Sequence, residues 1–519
     1  MVKDNNSKRI AKNTLLLYIR LLVVIVVSLY TSRIVLQVLG VVDFGIYNVV
    51  GGVVVMLAFL NTSMATGIQR FLSFELGKEN NDKLKLVFRT ALTIQVMLSF
   101  LIVILGETVG LWFLNNKMTI PADRIISANW VYQLSILSFV FVILQSPFNA
   151  IIIAHERMNF YAYMSIVEAL LKLFVVFLIA SSPFDKLVSY ALLLGIVTFI
   201  IFLFYLFYTK KRFIEVDFAL SFKKEMLISM SSFSGWNTLG SLSYTMKSQG
   251  INILLNMFFG PVINAARGLS FQVFTAINGF VTNFQVAFRP QMIKSYAQGD
   301  IDYVIKMLYF VSKLSFFLIY IISLPVLLET DTILKMWLGN DIPPETSLFT
   351  RLVILTGIVD AFATPFSTIV HATGKVKWFQ IVTSSIMILV IPVSYFLFKI
   401  GLPPEFALIV SLVFTVLVQI TRILFVKKLI NFSILHYFKH VFVPTSIIFI
   451  ISPLLPLTLH MVYEETYERM FLTILMSILS TLIFTYIFGL NKKEKVEYTQ
   501  RIKNWFYTKM KSTRLNSNK

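Results

Sequence analysis

The fold of this chain is decided by stretches such as residues 187–212, LVSYALLLGIVTFIIFLFYLFYTKKR. This stretch runs for more than twenty residues without a charge and then closes on Lys210, Lys211 and Arg212. About twenty apolar residues are enough to cross the hydrocarbon core of a bilayer. We expect a helix here, because a membrane-spanning strand would be about ten residues long with alternating polarity.

Stretches of this kind recur along the whole chain. Apolar residues make up 57% of the 519 residues and charged residues only 14%, which is too few charges for a soluble surface of this size. The sequence therefore predicts an all-α polytopic membrane protein with about fourteen transmembrane helices. The predicted spans are 13–38, 41–66, 85–113, 127–153, 160–181, 186–208, 229–258, 264–289, 303–328, 348–370, 378–399, 404–426, 438–459 and 469–489.

The basic residues predict the topology of these helices. The net charge is +20, and most of the 46 lysines and arginines fall on alternate loops and at the two termini. By the positive-inside rule, both termini are expected in the cytoplasm. Because the charges follow topology, no nucleic-acid partner is expected. The first apolar run lacks a small-residue cleavage site and is expected to remain as the first membrane helix.

Residue types that usually carry covalent chemistry are sparse. The chain has no cysteine, and its five histidines lie in or beside predicted loops. His436 and His440 are four residues apart, a spacing that can bind metal, but the sequence offers no third ligand beside them. There is no Walker-type glycine-rich loop. We therefore expect no catalytic residues, no metal and no cofactor, and the protein is not expected to be an enzyme.

A basic cytoplasmic loop divides the predicted helices into six and eight. Transporters are often built from two similar halves with the substrate site between them, and Leu39-Gly40 and Phe259-Gly260 occupy equivalent turns in the two halves here. The predicted domains are a six-helix bundle at 1–209, a basic linker at 210–228, a second six-helix bundle at 229–426, two additional helices at 427–490 and a basic cytoplasmic tail at 491–519.

Four of the cations within predicted spans are candidates for a ligand site. They are Arg20 and Arg33 in the first helix, Lys247 in the seventh and Arg267 in the eighth. Charges inside a membrane are costly and usually face a cavity or a partner. Mid-membrane cations favour an anionic ligand, and the planar fork of arginine suits phosphate. The alternative is that these side chains snorkel or bond to neighbouring carbonyls.

Polar and acidic residues complete the predicted cavity. The eighth span carries a polar stripe along one face, opposite a row of phenylalanines, and this pattern predicts a helix that lines a wet space. The amides predicted to line the cavity are Asn61, Asn252, Asn278 and Gln285.

Membrane carboxylates are candidates for coupling to protons or sodium ions. Asp43, Glu107 and Asp360 are such candidates, and the identity of a coupling ion is left open. Glu168 and Lys172 are four residues apart in the order that favours a helical ion pair, so we expect them to pair with each other.

Two parts of the chain resemble bacterial polysaccharide flippases, the O-antigen and capsule branch of the multidrug/oligosaccharidyl-lipid/polysaccharide (MOP) superfamily. In the first part these are AKNTLLLYIR at 11–20, TSR at 31–33 and LGVVDFGIY at 39–47. In the second part they are GINILLN at 250–256, FGP at 259–261 and NAARG at 264–268.

The resemblance implies two six-helix bundles that form a V around a central cationic cavity. It implies a flippase that moves polyprenyl-pyrophosphate-linked oligosaccharides, precursors of O-antigen, capsule or exopolysaccharide, to the outer leaflet of the bacterial inner membrane by alternating access. Membrane lipids and other polysaccharide assembly proteins are the other expected partners. Arg20, Arg33 and Arg267 match the cavity cations of the family, and Lys247 fits that pattern less closely.

A departure from the resemblance and the existence of rival classes keep alternatives open. Many polysaccharide flippases have twelve helices, and fourteen resembles the lipid II flippases of the same superfamily. A multidrug antiporter is the other alternative, although its cavity would need carboxylates and aromatic residues where this sequence offers cations. A membrane-embedded glycosyltransferase or polymerase would usually carry a larger outer loop than any predicted here.

Overall fold

The protein is described by a computed structural model that covers residues 2–77, 80–155, 157–339, 341–490 and Lys495. Within these residues every regular element is helical and no strand is present. Its α-helices are α1 (Val2–Val55), α2 (Ala58–Gly77), α3 (Asn81–Leu105), α4 (Leu111–Lys117), α5 (Ile125–Ala154), α6 (Met158–Ala180), α7 (Lys186–Arg212), α8 (Lys224–Phe259), α9 (Pro261–Ala297), α10 (Ile301–Leu328), α11 (Thr330–Leu338), α12 (Thr346–Asp360), α13 (Ala363–Thr373), α14 (Val376–Ile388), α15 (Val390–Lys399), α16 (Glu405–Ile430), α17 (Ile434–Tyr437), α18 (Val443–Ile451), α19 (Leu454–Val462) and α20 (Tyr467–Phe484). A 3-10 turn lies at Ala122–Arg124, and π-helical turns lie at Gly106–Gly110, Phe438–Phe442 and Thr485–Gly489.

In the described part of the chain, eleven helical segments are long and apolar enough to cross a membrane. This confirms the predicted class, an all-α polytopic membrane protein. One of the eleven, Arg20–Val55, runs through two predicted spans. These spans meet at Gly40, whose φ of 80° breaks the helical geometry and is readily adopted by glycine. Helices α8 and α9 are 36 and 37 residues long but too polar to be among the eleven.

Local sequence explains why these helices begin and end where they do. Helix α7 begins after Asp185, whose carboxylate accepts a hydrogen bond from the Val188 amide at 3.0 Å. It ends on Lys210, Lys211 and Arg212. An acidic cap at the first turn and cations at the last turn both complement the helix dipole.

The outer loop predicted between the ninth and tenth spans contains a helix, α11. The connection predicted between these spans therefore includes a short helix at Thr330–Leu338. Leu334 and Leu338, four residues apart, are both buried, and the Trp337 indole donates to the Leu29 carbonyl at 2.6 Å. Although acidic residues lie near this segment, one face of its helix is apolar and packs on α1.

The basic linker predicted at 210–228 is seen as the segment 213–223 between α7 and α8. It is fixed to the helices beside it, because Glu215 pairs with His155 and Asp217 pairs with Arg89. The Arg89 guanidinium lowers the pKa of the Asp217 carboxyl from its ordinary value. The linker thus begins as a docked segment rather than as a free chain.

The described residues pack as two compact units. The first unit is formed by residues within Met1–Ala276, Leu334–Thr356 and Lys375–Thr421. The second is formed by residues within Ile277–Ile333, Gly357–Gly374 and Arg422–Lys519. The predicted division into two six-helix bundles stays a prediction, and the predicted tail at 491–519 lies outside the described residues apart from Lys495.

A buried apolar cluster of the first unit positions the helices that carry the predicted site. Leu255 of α8 and Ala266 of α9 are fully buried against Phe349 of α12 and Val390 of α15. Burial of such side chains contributes about 1.5–3 kcal/mol for each large residue. This cluster packs the first turns of α9 against α8. It thereby positions Arg267, the residue that follows Ala266.

The second unit is held by aromatic and polar contacts among its own helices. The Tyr320 hydroxyl donates to the Phe449 carbonyl at 2.7 Å, and Lys313 Nζ donates to the Gly489 carbonyl at 3.3 Å. The latter carbonyl belongs to a π-helical turn at 485–489, where the regular helical bond pattern is changed.

Candidate functional site

Arg267 is the buried cation at the centre of the predicted site. Its side chain is 6% exposed, and Nη2 donates to the Ser248 carbonyl of α8 at 2.6 Å. The guanidinium carbon lies 5.3 Å from the centre of the Phe271 ring. Nε is buried without a hydrogen-bond partner, and no carboxylate among the described residues pairs with Arg267. The protein therefore leaves this positive charge without a counter-ion and leaves donor capacity on the fork unused.

Side-chain amides surround the turn that carries Arg267. Asn264 Nδ2 donates to the Asn252 carbonyl at 2.7 Å and to Asn252 Oδ1 at 2.8 Å. Asn252 Nδ2 in turn donates to the Asn48 carbonyl of α1 at 3.4 Å. These bonds link α1, α8 and α9 within the first unit and include Asn252, one of the predicted polar residues.

Two glycines allow this close approach. A Cβ atom at Gly52 would lie 2.7 Å from Gln249 Oε1, and one at Gly268 would lie 2.8 Å from Asn48 Oδ1. Real Cβ atoms do not approach other heavy atoms this closely, so any larger residue would push the amides apart. The amide layer beside Arg267 therefore depends on glycine at both positions.

Arg20 has a similar unsatisfied donor on α1. Its guanidinium carbon lies 4.5 Å from the centre of the Tyr161 ring of α6, and Nη2 donates to the Tyr161 hydroxyl at 3.4 Å. Nε is buried without a hydrogen-bond partner among the described residues. A cation held over an aromatic face keeps its charge available, because the ring supplies attraction but no neutralising charge.

The other two predicted cations are bound by helices in the same unit. Arg33 Nη1 donates to the Met336 carbonyl of α11 at 3.3 Å. Lys247 Nζ donates to the Thr415 hydroxyl of α16 at 2.7 Å. The hydrogen bonds of the described residues thus attach the four cations to four different elements and do not join them directly. Their assignment to one cationic cavity stays a prediction.

The remaining predicted polar residues have specific packing partners. Asn61 Oδ1 accepts from Gln95 Nε2 of α3 at 3.4 Å. In the second unit, Gln285 is 6% exposed and Nε2 donates to the Ser315 hydroxyl at 2.9 Å and to the Ala361 carbonyl at 2.8 Å. Asn278 is half-buried on the same helix, α9. The cavity-lining role of these amides also stays a prediction.

The three candidate coupling carboxylates lie in different surroundings. Asp43 accepts from Arg124 Nε at 2.8 Å, and the same guanidinium binds Asp185 at 2.7 Å. Glu107 is exposed and accepts from Gln133 at 3.1 Å. In the second unit, Asp360 Oδ1 lies 3.7 Å from Arg422 Nη1, and no sequence pattern predicted this contact. No further finding bears on a coupling role, and it stays a prediction.

One predicted contact is confirmed. Lys172 Nζ donates to Glu168 Oε1 at 2.6 Å, as the spacing of four residues on α6 predicts. Both side chains are partly exposed, so this pair contributes only a few tenths of a kcal/mol, about the value of an ordinary helical pair.

Sequence reasoning missed a buried ion cluster in the second unit. The Glu329 carboxylate is 0% exposed; Oε2 accepts from Arg469 at 3.1 Å and from Thr332 at 2.9 Å, and His460 Nε2 lies 3.0 Å from Oε1. Burial alone would raise the pKa of Glu329, but the Arg469 guanidinium and the Thr332 hydroxyl hold it below its ordinary value. The charged partner Arg469 and the imidazole of His460 lie more than one hundred residues from Glu329, so no local spacing could have revealed them.

Comparison with known proteins identifies the fold. No family model matches the sequence, and no curated protein matches it either. The structure matches an inward-facing multidrug resistance MATE family transporter of the MOP superfamily, with a TM-score of 0.68 and 13% identity over 78% of this chain and 94% of that one. It matches the lipid II flippase MurJ in an inward closed conformation, with a TM-score of 0.68 and 14% identity over 91% and 98%. The chain has the fold of this MOP-superfamily transporter and of this flippase.

This fold agrees with the superfamily that the sequence motifs resemble. Together, the fold and the eleven apolar helices of the described residues indicate a multi-pass membrane protein. An outward-facing MATE transporter also matches, with a TM-score of 0.58 and 14% identity over 81% of this chain and 96% of that one. At this identity the likeness shows the fold alone. The three proteins named above are two multidrug resistance MATE transporters and a lipid II flippase, so the polysaccharide branch stays a prediction.

Proposed function

We propose that this protein is a flippase for polyprenyl-pyrophosphate-linked oligosaccharides, precursors of O-antigen, capsule or exopolysaccharide. It carries them from the cytoplasmic to the outer leaflet of the bacterial inner membrane by alternating access, with both of its termini in the cytoplasm. The MOP fold supports a transporter or flippase of lipid-linked or amphipathic cargo. The residues around Arg267 support the choice of cargo.

The observation that carries the proposal is the buried, unneutralised charge of Arg267. Keeping a guanidinium in a low-dielectric site without a counter-ion costs several kcal/mol, roughly the penalty for one buried ion. Such a cost is typical of a functional site that receives its counter-ion from a ligand. Arg267 bonds only a carbonyl with Nη2 and leaves Nε unused, so the fork can still take a pyrophosphate oxygen pair.

The neighbouring amides suit the sugar portion of the same cargo. Asn48, Asn252 and Asn264 supply both donors and acceptors on α1, α8 and α9. Sugar hydroxyls need both kinds of partner, and amides provide them without adding charge. Binding and release between two conformational states need no covalent step, so we propose a transporter rather than an enzyme.

A lipid II flippase is the nearest alternative, because its cargo carries the same pyrophosphate and the lipid II flippase MurJ matches over 91% of this chain. A multidrug antiporter is favoured less by the charges. An organic cation would need a free carboxylate, whereas Asp43 in the first unit is already bound by Arg124.

The test is native mass spectrometry of the purified protein in mild detergent, with Arg267→Ala and Arg20→Ala. We expect the wild type to retain a polyprenyl-pyrophosphate glycan and both variants to lose it. Lys172→Ala is the matched control, because it removes a membrane cation that already has a carboxylate partner, Glu168. Retention only of ordinary phospholipids, even after lipid-linked glycan is added, contradicts the proposal, and drug efflux is then the next assay. The mass of a retained glycan separates lipid II from other cargo.

A further inference from the structure

The first unit contains an apolar cavity that the proposed pyrophosphate site does not use. Its volume is about 470 Å³, within the range of about 300–1,000 Å³ that is usual for ligand sites. It lies between the second half of α1, the turn at 105–113, α8 and Ile391 of α15. Tyr132 brings the one hydroxyl among its lining residues, and that hydroxyl already donates to the Gly106 carbonyl at 2.8 Å. The cavity therefore has no group to offer a sugar or a phosphate.

One wall of the cavity is a π-helical turn, Gly106–Gly110, where α3 passes into α4. Such turns are rare and occur frequently at functional sites. Glycine lets both ends of the turn pack closely against α5, because a Cβ atom at Gly110 would overlap the Tyr132 hydroxyl and one at Gly106 would lie 2.8 Å from Ile136 Cδ1, at the end of that side chain. This irregular wall is specified by sequence and is not the result of loose packing.

The same wall also faces the bilayer. Val109 lines the cavity and is 61% exposed, and Ile104 and Trp112 beside it on this segment are also exposed. The segment Asn81–Lys117 is one of the helical stretches long and apolar enough to cross the membrane, so we expect these exposed side chains to meet lipid tails. A hydrocarbon chain can therefore reach the cavity from the bilayer without passing through water.

Helix α8 separates this cavity from the polar layer at Arg267. Met246, Gly250 and Met257 line the cavity, and at 100° per residue they fall within one narrow arc of the helix. Ser248, which binds Arg267, and Asn252 fall on the opposite side. One helix thus presents an apolar face to the cavity and a polar face to the guanidinium.

We infer that this cavity binds the isoprenoid chain of the lipid carrier whose pyrophosphate binds at Arg267. The inference rests on the proposed function, because it assigns the tail of the same cargo. Three methionines, Met56, Met246 and Met257, line the cavity. Unbranched and polarisable, methionine side chains fill irregular gaps and adapt to a methyl-branched chain. By the predicted topology the cavity lies in the outer half of the membrane, where the carrier arrives when its head group has crossed.

The test uses protein reconstituted in phosphatidylethanolamine vesicles with a diazirine-labelled polyprenyl phosphate that carries no glycan. A parallel sample carries a diazirine-labelled phosphatidylethanolamine instead. Labelled peptides are mapped by mass spectrometry. We expect the isoprenoid probe to label 105–113 and 246–257 well above the phospholipid probe.

Variants that fill the cavity supply the control. Val53→Trp occupies it and should abolish the isoprenoid labelling, whereas Val55→Trp, at an exposed position of the same helix that does not line the cavity, should leave labelling unchanged. Met246→Trp fills the cavity from α8 and replaces Val53→Trp if the latter reduces the amount of folded protein.

Three results overturn the inference. They are equal labelling by the phospholipid probe, absence of labelling at these peptides, and labelling that persists when the cavity is filled. The fate of the proposed function is read separately. Retention of a pyrophosphate glycan through Arg267, with no isoprenoid in the cavity, removes the tail site alone.

Discussion

Replacing a buried arginine by alanine should have opposite consequences at two positions in this protein. Arg267 is 6% exposed and Arg469 is 5% exposed, so the two side chains are buried equally well. Arg469 binds the buried Glu329 carboxylate at 3.1 Å, whereas Arg267 binds a carbonyl and no described carboxylate. We predict that Arg267→Ala impairs binding with little effect on stability and that Arg469→Ala impairs stability.

The magnitudes follow from these contacts. At Arg267 the substitution removes one charge-assisted hydrogen bond, worth about 1.5–3 kcal/mol. It also removes the desolvation penalty of an un-neutralised ion, which is several kcal/mol and of the opposite sign, so the net change in stability is expected within about 2 kcal/mol. At Arg469 the substitution leaves the Glu329 carboxylate buried and deprived of its cation, which costs about 3–5 kcal/mol.

Ligand binding is expected to be weakened by Arg267→Ala and unchanged by Arg469→Ala. Loss of one partner from a buried charge pair weakens binding by about 2–5 kcal/mol. The Kd of Arg267→Ala for a polyprenyl pyrophosphate should therefore rise by about 30-fold to about 4,000-fold. The Kd of any Arg469→Ala protein that remains folded should be unchanged, because Arg469 belongs to the second unit, in contact with Glu329.

Both quantities can be measured on the same detergent preparations. The thermal unfolding midpoint reports stability, and titration with polyprenyl pyrophosphate reports binding. Arg267→Lys is a further control that keeps the charge but loses the fork, so it should recover only part of the affinity. If Arg267→Ala unfolds as readily as Arg469→Ala, the arginine holds α8 to α9 and the reasoning from its unneutralised charge is refuted.

Three other perturbations give clear expectations. The pKa of Glu329 in the folded protein lies below its ordinary value of 4.5, so the ionised carboxylate stabilises the fold above that pH, and this stabilisation is lost as the pH falls through the folded-state pKa. The difference in unfolding midpoint between wild type and Glu329→Gln should therefore shrink below about pH 4.5. A difference that stays constant with pH would contradict this. Gly52→Ala should lower the free energy of unfolding by about 1–3 kcal/mol, because the new Cβ atom meets amides of α8. Gly51→Ala has open space around it and should raise the free energy of unfolding by up to about 1 kcal/mol. Equal effects of the two substitutions would refute the packing argument. Reporter fusions at Lys223 and Lys519 should both report the cytoplasm, and opposite sides would overturn the predicted topology.

The structures that resemble this chain include transporters in inward-facing and in outward-facing conformations. Alternating access requires at least two arrangements that differ little in free energy, and a cargo shifts them only by binding one better than the other. On the proposed function, the hydrogen bonds at Arg267, Asn252 and Asn264 belong to one of these arrangements. On the proposed function, an anion at Arg267 would bind the donors that the Ser248 carbonyl leaves unused.

Patterns set by neighbouring residues were determined by the sequence alone. Length, hydropathy and charge predicted an all-helical polytopic membrane protein, because a span is a property of consecutive residues in a bilayer. The Glu168–Lys172 pair was also predictable, since positions four apart on a helix are always neighbours. The motifs around Arg20 and Arg267 indicated the superfamily whose fold the structure has.

Partners from distant parts of the chain were decided only by the tertiary structure. Asp43 and Arg124 are 81 residues apart, and Glu329 and Arg469 are 140 residues apart. The sequence showed Asp43 only as a carboxylate in a predicted span, and the structure shows that the Arg124 guanidinium binds it. Arg267 is the converse case, because its sequence showed a charge in a membrane and only the folded chain showed that no described carboxylate neutralises it. Helix packing determines which charges meet, and that packing depends on side chains that no local pattern records.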